Sequence, residues 1–94
     1  MAALDLFGRR WALRILWELR GGAVGARELL VRCPGLSPSV LYERLRDLTA
    51  AGLVERSGQA YALSQLGRSL GSAIEPLDKW SRKWAQRFKE METR

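Results

Sequence analysis

Apolar residues at Leu4, Phe7, Trp11, Ile15 and Leu19 recur at intervals of three and four, and Ala12 and Leu16 widen the stripe. That period is helical, and Arg9, Arg10, Arg14 and Glu18 take the remaining face. The spacing predicts a first helix over roughly residues 4–20, stopped by Gly21-Gly22. Ala23-Val24-Gly25 is too short for a helix and leaves room for one small strand. A second, brief helix follows from about Ala26 to Arg32, with Leu29 and Leu30 facing inward. Cys33-Pro34-Gly35-Leu36 breaks it, because proline and glycine together do not continue a helix. Ser37-Pro38 restarts one: serine caps the free N–H groups, and proline at the first helical position lacks an N–H that would be unpaired anyway. Leu41, Leu45 and Leu48 mark the buried side of this third helix, which Gly52 closes near Ala51.

Beyond Gly52 the period changes. Leu53-Val54-Glu55-Arg56 and Ala60-Tyr61-Ala62-Leu63 are strand candidates, and Ser57-Gly58-Gln59 is a hairpin-sized loop between them. Ser64 can cap another helix, whose apolar positions Leu66, Leu70, Ile74 and Leu77 continue into Trp80, Trp84, Phe88 and Met91. Pro76 interrupts that segment and predicts either a kink or two consecutive helices. No internal repeat, low-complexity tract or linker divides the chain, so residues 1–94 read as a single domain. Its parts are a helix-turn-helix over about 26–51, a wing over about 53–63 and a C-terminal helical segment over about 64–92. The expected fold class is mainly α with a small β-hairpin. Helix, short turn, helix, then hairpin is the layout of a winged helix-turn-helix, here followed by a C-terminal dimerisation helix.

Composition removes most enzyme chemistries. Among the 94 residues there is no histidine, which excludes a histidine base or metal ligand, and Cys33 is the single cysteine, which excludes an intrachain disulfide and a multi-cysteine metal site. No phosphate-cradling glycine loop and no nucleophile–base pair is present, so neither an enzyme nor a cofactor is expected. One cysteine fits a reducing, cytoplasmic compartment. No apolar run approaches membrane-spanning length, and the arginines of the first ten residues follow the apolar stretch, unlike a signal peptide. The net charge of +6 points to a polyanionic partner. Yet residues 25–63 carry a net charge of only +1, so most of the basic excess lies outside the helix-turn-helix and wing.

Four strings narrow the layout. Gly8-Arg9-Arg10-Trp11-Ala12-Leu13-Arg14-Ile15-Leu16, Pro34 through Arg46, Gly52-Leu53-Val54-Glu55-Arg56 and Tyr61 through Leu70 resemble the HxlR-type bacterial transcription regulators. The likeness runs in order and spacing up to about Trp80. It implies a dimeric DNA-binding repressor or activator of a prokaryote. Members of that family usually carry a cysteine just before the first helix, which in some senses oxidants or electrophiles. None precedes Gly8 here, so that mechanism is not carried over. Family wings are also longer and richer in proline than this loop, which leaves DNA contact by the wing open.

A rotation of about 100° per residue sets Ser39, Tyr42, Glu43 and Arg46 on or near the side of the third helix opposite its leucines. In a helix-turn-helix the early positions of the second helix enter the major groove, so these four are the base-reading candidates. Arg46 suits a bidentate contact with guanine. Tyr42 suits a phosphate or a thymine methyl, and Glu43 either accepts from cytosine or pairs with Arg44 or Arg46. Arg27, Arg32, Ser37, Arg44, Arg56 and Gln59 are the phosphate candidates. The alternative for any one of them is a solvated surface.

Leu77, Trp80, Trp84, Phe88 and Met91 form a stripe that needs a cover. Packing of Leu77, Trp80, Trp84 and Phe88 with Phe7 and Trp11 of a second copy gives a homodimer suited to a palindromic operator. Intrachain packing and attachment to a membrane surface are the competing readings, although no membrane partner is expected. Trp11 and Trp17 are expected in the core or interface, or lining a pocket for a small-molecule effector that the sequence does not identify. Cys33 reads as a small, partly buried residue, with Arg32 a neighbour able to lower its pKa. The functional expectation is a sequence-specific, dimeric repressor of transcription reading double-stranded DNA with residues 37–51. The alternative is a winged-helix protein–protein interaction module without an operator.

Overall fold

A computed structural model describes residues 2–93, with side chains from Asp5 to Thr93; the side chain of Leu4, one of the predicted apolar positions, lies outside the described residues. The chain runs α1 (Ala2–Phe7), α2 (Ala12–Glu18), β1 (Val24–Gly25), α3 (Ala26–Arg32), α4 (Pro38–Ala50), β2 (Val54–Ser57), β3 (Ala60–Leu63), α5 (Gln65–Ser69) and α6 (Gly71–Glu92). The helix-turn-helix is α3 and α4, and β2 with β3 forms the wing.

One expectation is corrected at the start. The predicted helix over 4–20 is two helices, divided at Gly8–Trp11. Trp11 adopts φ 77° and ψ −10°, a left-handed conformation costing a non-glycine residue about 1–2 kcal/mol. Tertiary packing overrides the helical spacing: the Trp11 ring lies beside Gly35 in the turn before α4, where a Cβ on Gly35 would be 3.8 Å from Cζ2. The expected interruption at Pro76 is corrected as well: the C-terminal segment is two helices, but the proline does not divide them. The division falls at Leu70 rather than at Pro76, through which α6 continues. Proline there omits one backbone hydrogen bond near the start of a 22-residue helix.

Local punctuation sets α4. Ser37 Oγ accepts from the Val40 N–H at 3.2 Å, and Pro38 occupies the first turn. At the other end Gly52, with φ 80°, permits the paired bonds Leu53 N–H to Leu48 C=O and Gly52 N–H to Thr49 C=O, both 3.0 Å. The sheet is antiparallel with order β1-β3-β2, so the small strand at Val24 joins the wing through Tyr61. Val54 pairs with Leu63 and Ser57 with Ala60, leaving Gly58-Gln59 as a two-residue turn. The first wing strand thus runs one residue later than its pattern predicts. Positive φ at Gly58 alone is the pattern of a type II′ hairpin turn.

Ile15, Leu16, Leu19, Leu29, Leu41, Leu45 and Leu48 meet Val54, Tyr61 and Leu63 in one core. Each large side chain buried there contributes about 1.5–3 kcal/mol. The core fixes α4 against α2, α3 and the wing. By contrast α6 has no buried residue, and it extends the molecule to 51 Å along its longest axis.

Candidate nucleic-acid interface

Burial of Leu41, Leu45 and Leu48 rotates Ser39, Tyr42, Glu43 and Arg46 to the solvent side of α4, and all four are exposed. Tyr42 and Arg46 line a groove of about 720 Å³ between α4 and the wing. Arg56 and Tyr61 form its opposite wall, and Thr49 and Ala50 continue it along the helix. The Arg56 guanidinium lies 5.3 Å from the centroid of the Tyr61 ring. Tyr61 is itself buried in the core, so this cation is held over a fixed platform. Arg46 has no ion-pair or side-chain hydrogen-bond partner among the described residues, which leaves its fork of donors facing solvent. The structure thus brings Tyr42, Arg46 and Arg56 to one cleft. Gln59 is exposed at the tip of the wing and Arg27 on α3.

Three of the other candidates are engaged internally. Arg44 is mostly buried: its Nε donates to the Arg10 carbonyl at 2.9 Å, and its guanidinium pairs with Asp47 at 2.9 Å. Glu43 approaches Arg44 at 3.5 Å rather than Arg46. Arg32 bonds Glu28 at 3.2 Å and the Glu18 carbonyl at 3.3 Å, fastening α3 to the end of α2. The Ser37 hydroxyl oxygen is occupied as the α4 cap, and it lies 3.3 Å from the Ser39 hydroxyl.

Asp47, absent from the sequence-derived candidates, is the centre of these contacts. Its Oδ2 accepts from both Arg44 and Arg9, each at 2.9 Å. Partial burial pushes the carboxyl up, but hydrogen bonds and charge from the two arginines outweigh it and hold the pKa below its ordinary value. The i,i+3 spacing of Arg44 and Asp47 is the one sequence signal that pointed to it.

The aromatic candidates divide. Phe7 and Trp11 are half-buried against the chain's own core. Leu77, Trp80, Trp84 and Phe88 are each about half exposed or more, so intrachain packing does not cover the α6 stripe. Trp17 is half-buried beneath the Arg20 guanidinium, 3.8 Å from its ring centroid. Cys33 is fully buried, not partly. Desolvation dominates and raises its thiol pKa, with Glu18 assisting and Arg14 and Arg32 opposing.

An exposed helix face seated on a short preceding helix, with a wing completing a cleft beside it, defines a winged helix-turn-helix DNA-binding protein. The sequence profile of the HxlR-like helix-turn-helix family matches residues 6–89, and the chain belongs to that family. The HTH-type transcriptional regulator YvaP of Bacillus subtilis is 30% identical over 89 residues, spanning 87% of this chain and 82% of YvaP. The crystal structure of quinone-bound YodB from B. subtilis superposes with a TM-score of 0.82 at 29% identity, covering 87% of this chain and 93% of that one. The crystal structure of a possible HxlR family transcriptional factor from Thermoplasma volcanium gives a TM-score of 0.80 at 31% identity, covering 88% of this chain and 81% of that one. The chain is a transcriptional regulator of helix-turn-helix type, a class that acts by binding rather than by catalysis. Among the described residues no helix is long and apolar enough to cross a membrane.

Proposed function

We propose that this regulator works in the cytoplasm as a homodimer that reads a palindromic operator with α4 in the major groove and represses by occlusion. The observation that carries the reading is the cleft in which Tyr42, Arg46 and Arg56 converge. Ser39, Tyr42, Glu43 and Arg46 face base edges, Arg46 supplying a fork that fits guanine O6 and N7. Arg56 on its tyrosine platform, Gln59 at the wing tip and Arg27 on α3 meet phosphates, and Ser37 with the first N–H groups of α4 meets another. Arg44 and Arg32 act as internal ties. The α6 stripe of Leu77, Trp80, Trp84 and Phe88 supports a two-fold dimer, with Phe7 and Trp11 contributing the edges that their own core leaves open.

The test is fluorescence anisotropy of the full chain with duplex DNA from upstream of its own gene, against a scrambled duplex of equal length, near ~150 mM salt. Preference for the upstream duplex by roughly a thousandfold supports the operator reading. Absence of binding to either duplex overturns it and favours a protein-interaction role for the α4 face.

A further inference from the structure

Gly8–Trp11 is a break that the sequence pattern does not ask for. The stripe Leu4, Phe7, Trp11, Ile15, Leu19 keeps helical spacing across it, so a continuous helix from α1 through α2 is a second arrangement compatible with the same residues. In the broken form two successive turns, Arg9 N–H to Leu6 C=O and Ala12 N–H to Arg9 C=O, both 3.2 Å, join α1 to α2. Trp11 holds φ 77° at the join. What fastens this form is α4. Asp47 grips Arg9, and Arg44 bonds the Arg10 carbonyl while sharing the same Asp47 oxygen. A right-handed Trp11 would carry Arg9 and Arg10 round with the lengthened helix and away from these partners.

We propose that the α1–α2 junction is a two-state joint, latched in its broken form by Asp47 and Arg44, and that the latched form holds α4 in its DNA-competent pose. Asp47 is then a positioning residue that affects DNA binding without touching DNA. The inference rests on the reading of α4 as the DNA-binding helix.

Two full-length variants test it by different routes. Asp47→Asn weakens the latch directly. Gly8→Ala leaves the latch residues intact and favours the continuous helix, because alanine is the better helix former. Both are expected to increase amide hydrogen-exchange protection at residues 8–12 and to decrease it in the first turns of α4. Both are expected to weaken operator binding about fivefold or more, within the usual range for coupled sites. The proposal is overturned if Asp47→Asn leaves protection at 8–12 unchanged or lowers it, which is simple fraying. It is also overturned if Gly8→Ala raises protection at 8–12 while α4 exchange stays constant. The exchange readout needs no DNA, so failure of the wild type to bind any duplex counts against the DNA reading and leaves the joint to be judged on exchange alone.

Discussion

Trp80 and Trp84 stack along one face of α6, with ring centroids 6.5 Å apart and planes within 12° of parallel, and each residue is more than half exposed. Phe88 continues the row, 5.7 Å from Trp84. Three adjacent aromatic residues lie open on a helix that touches its own core only near its start, through Ile74, and such a row would lose little side-chain entropy on being covered.

Replacing both tryptophans by alanine is expected to convert a dimer to monomers, each ring costing about 2 kcal/mol or more of association energy. Thermal stability measured at low protein concentration should change little, because neither tryptophan packs against the core. Sedimentation velocity across a concentration series reads the outcome. A dimer that persists without either ring places its interface elsewhere.

Arg46 and Arg56 share one cleft yet differ in expected effect. Arg46→Ala should cost about 1–3 kcal/mol at one base position and relax selectivity there. Arg56→Ala should weaken binding to all sequences alike and reduce the salt slope by about one. Anisotropy titrations over a panel of single-base operator variants at several salt concentrations separate the two. Identical behaviour of the variants would reject the division of roles.

Much of this arrangement was legible because it is local. Ser37-Pro38 and Gly52 bound α4 through side-chain and backbone geometry that a few residues encode, and the leucine spacing fixes its outward face. The break at Gly8–Trp11 was illegible because four non-helical residues left the apolar period intact, while a contact that accompanies it, Trp11 beside Gly35, is made with a turn elsewhere in the chain. Arg9 and Asp47 meet across 38 positions, which no spacing rule marks. For the same reason the bonds of Arg44 to the Arg10 carbonyl and of Arg32 to the Glu18 carbonyl carry no mark in the sequence.

Gly67 illustrates a constraint of close approach. A Cβ built there would lie 2.1 Å from the Leu53 carbonyl oxygen and 3.3 Å from the Leu63 Cβ. Backbone cannot yield as a side chain does. Gly67→Ala should therefore destabilise by about 1–3 kcal/mol despite alanine's better helix propensity. A urea melt checks it, and a stabilised variant would show that α5 is free to shift.

Cys33 should be unreactive in the folded protein. It is fully buried, and desolvation raises its pKa, so both access and thiolate fraction are low. Labelling by an aromatic disulfide reagent is expected to follow the rate or extent of unfolding and to become fast in urea. Rapid native-state labelling at neutral pH would contradict this burial.

Acid should weaken the tie between α4 and the α1–α2 junction. The Asp47 carboxyl is hydrogen-bonded by Arg44 and Arg9, and its pKa in the folded chain lies below that of an unfolded aspartate, about 3.9. A depressed folded pKa means that protonation favours unfolding. The stabilisation is therefore complete above the unfolded pKa and is lost as pH falls through the folded one. Wild type should melt above Asp47→Asn at pH 6, with the gap narrowing below about pH 4 as the wild-type carboxyl loses its charge. Thermal melts of both proteins at half-unit steps from about pH 6 to about pH 2.5 measure that gap. A gap constant over the whole range would mean that the asparagine acts through shape alone, and that the charge on Asp47 contributes nothing to holding Arg9 and Arg44 together.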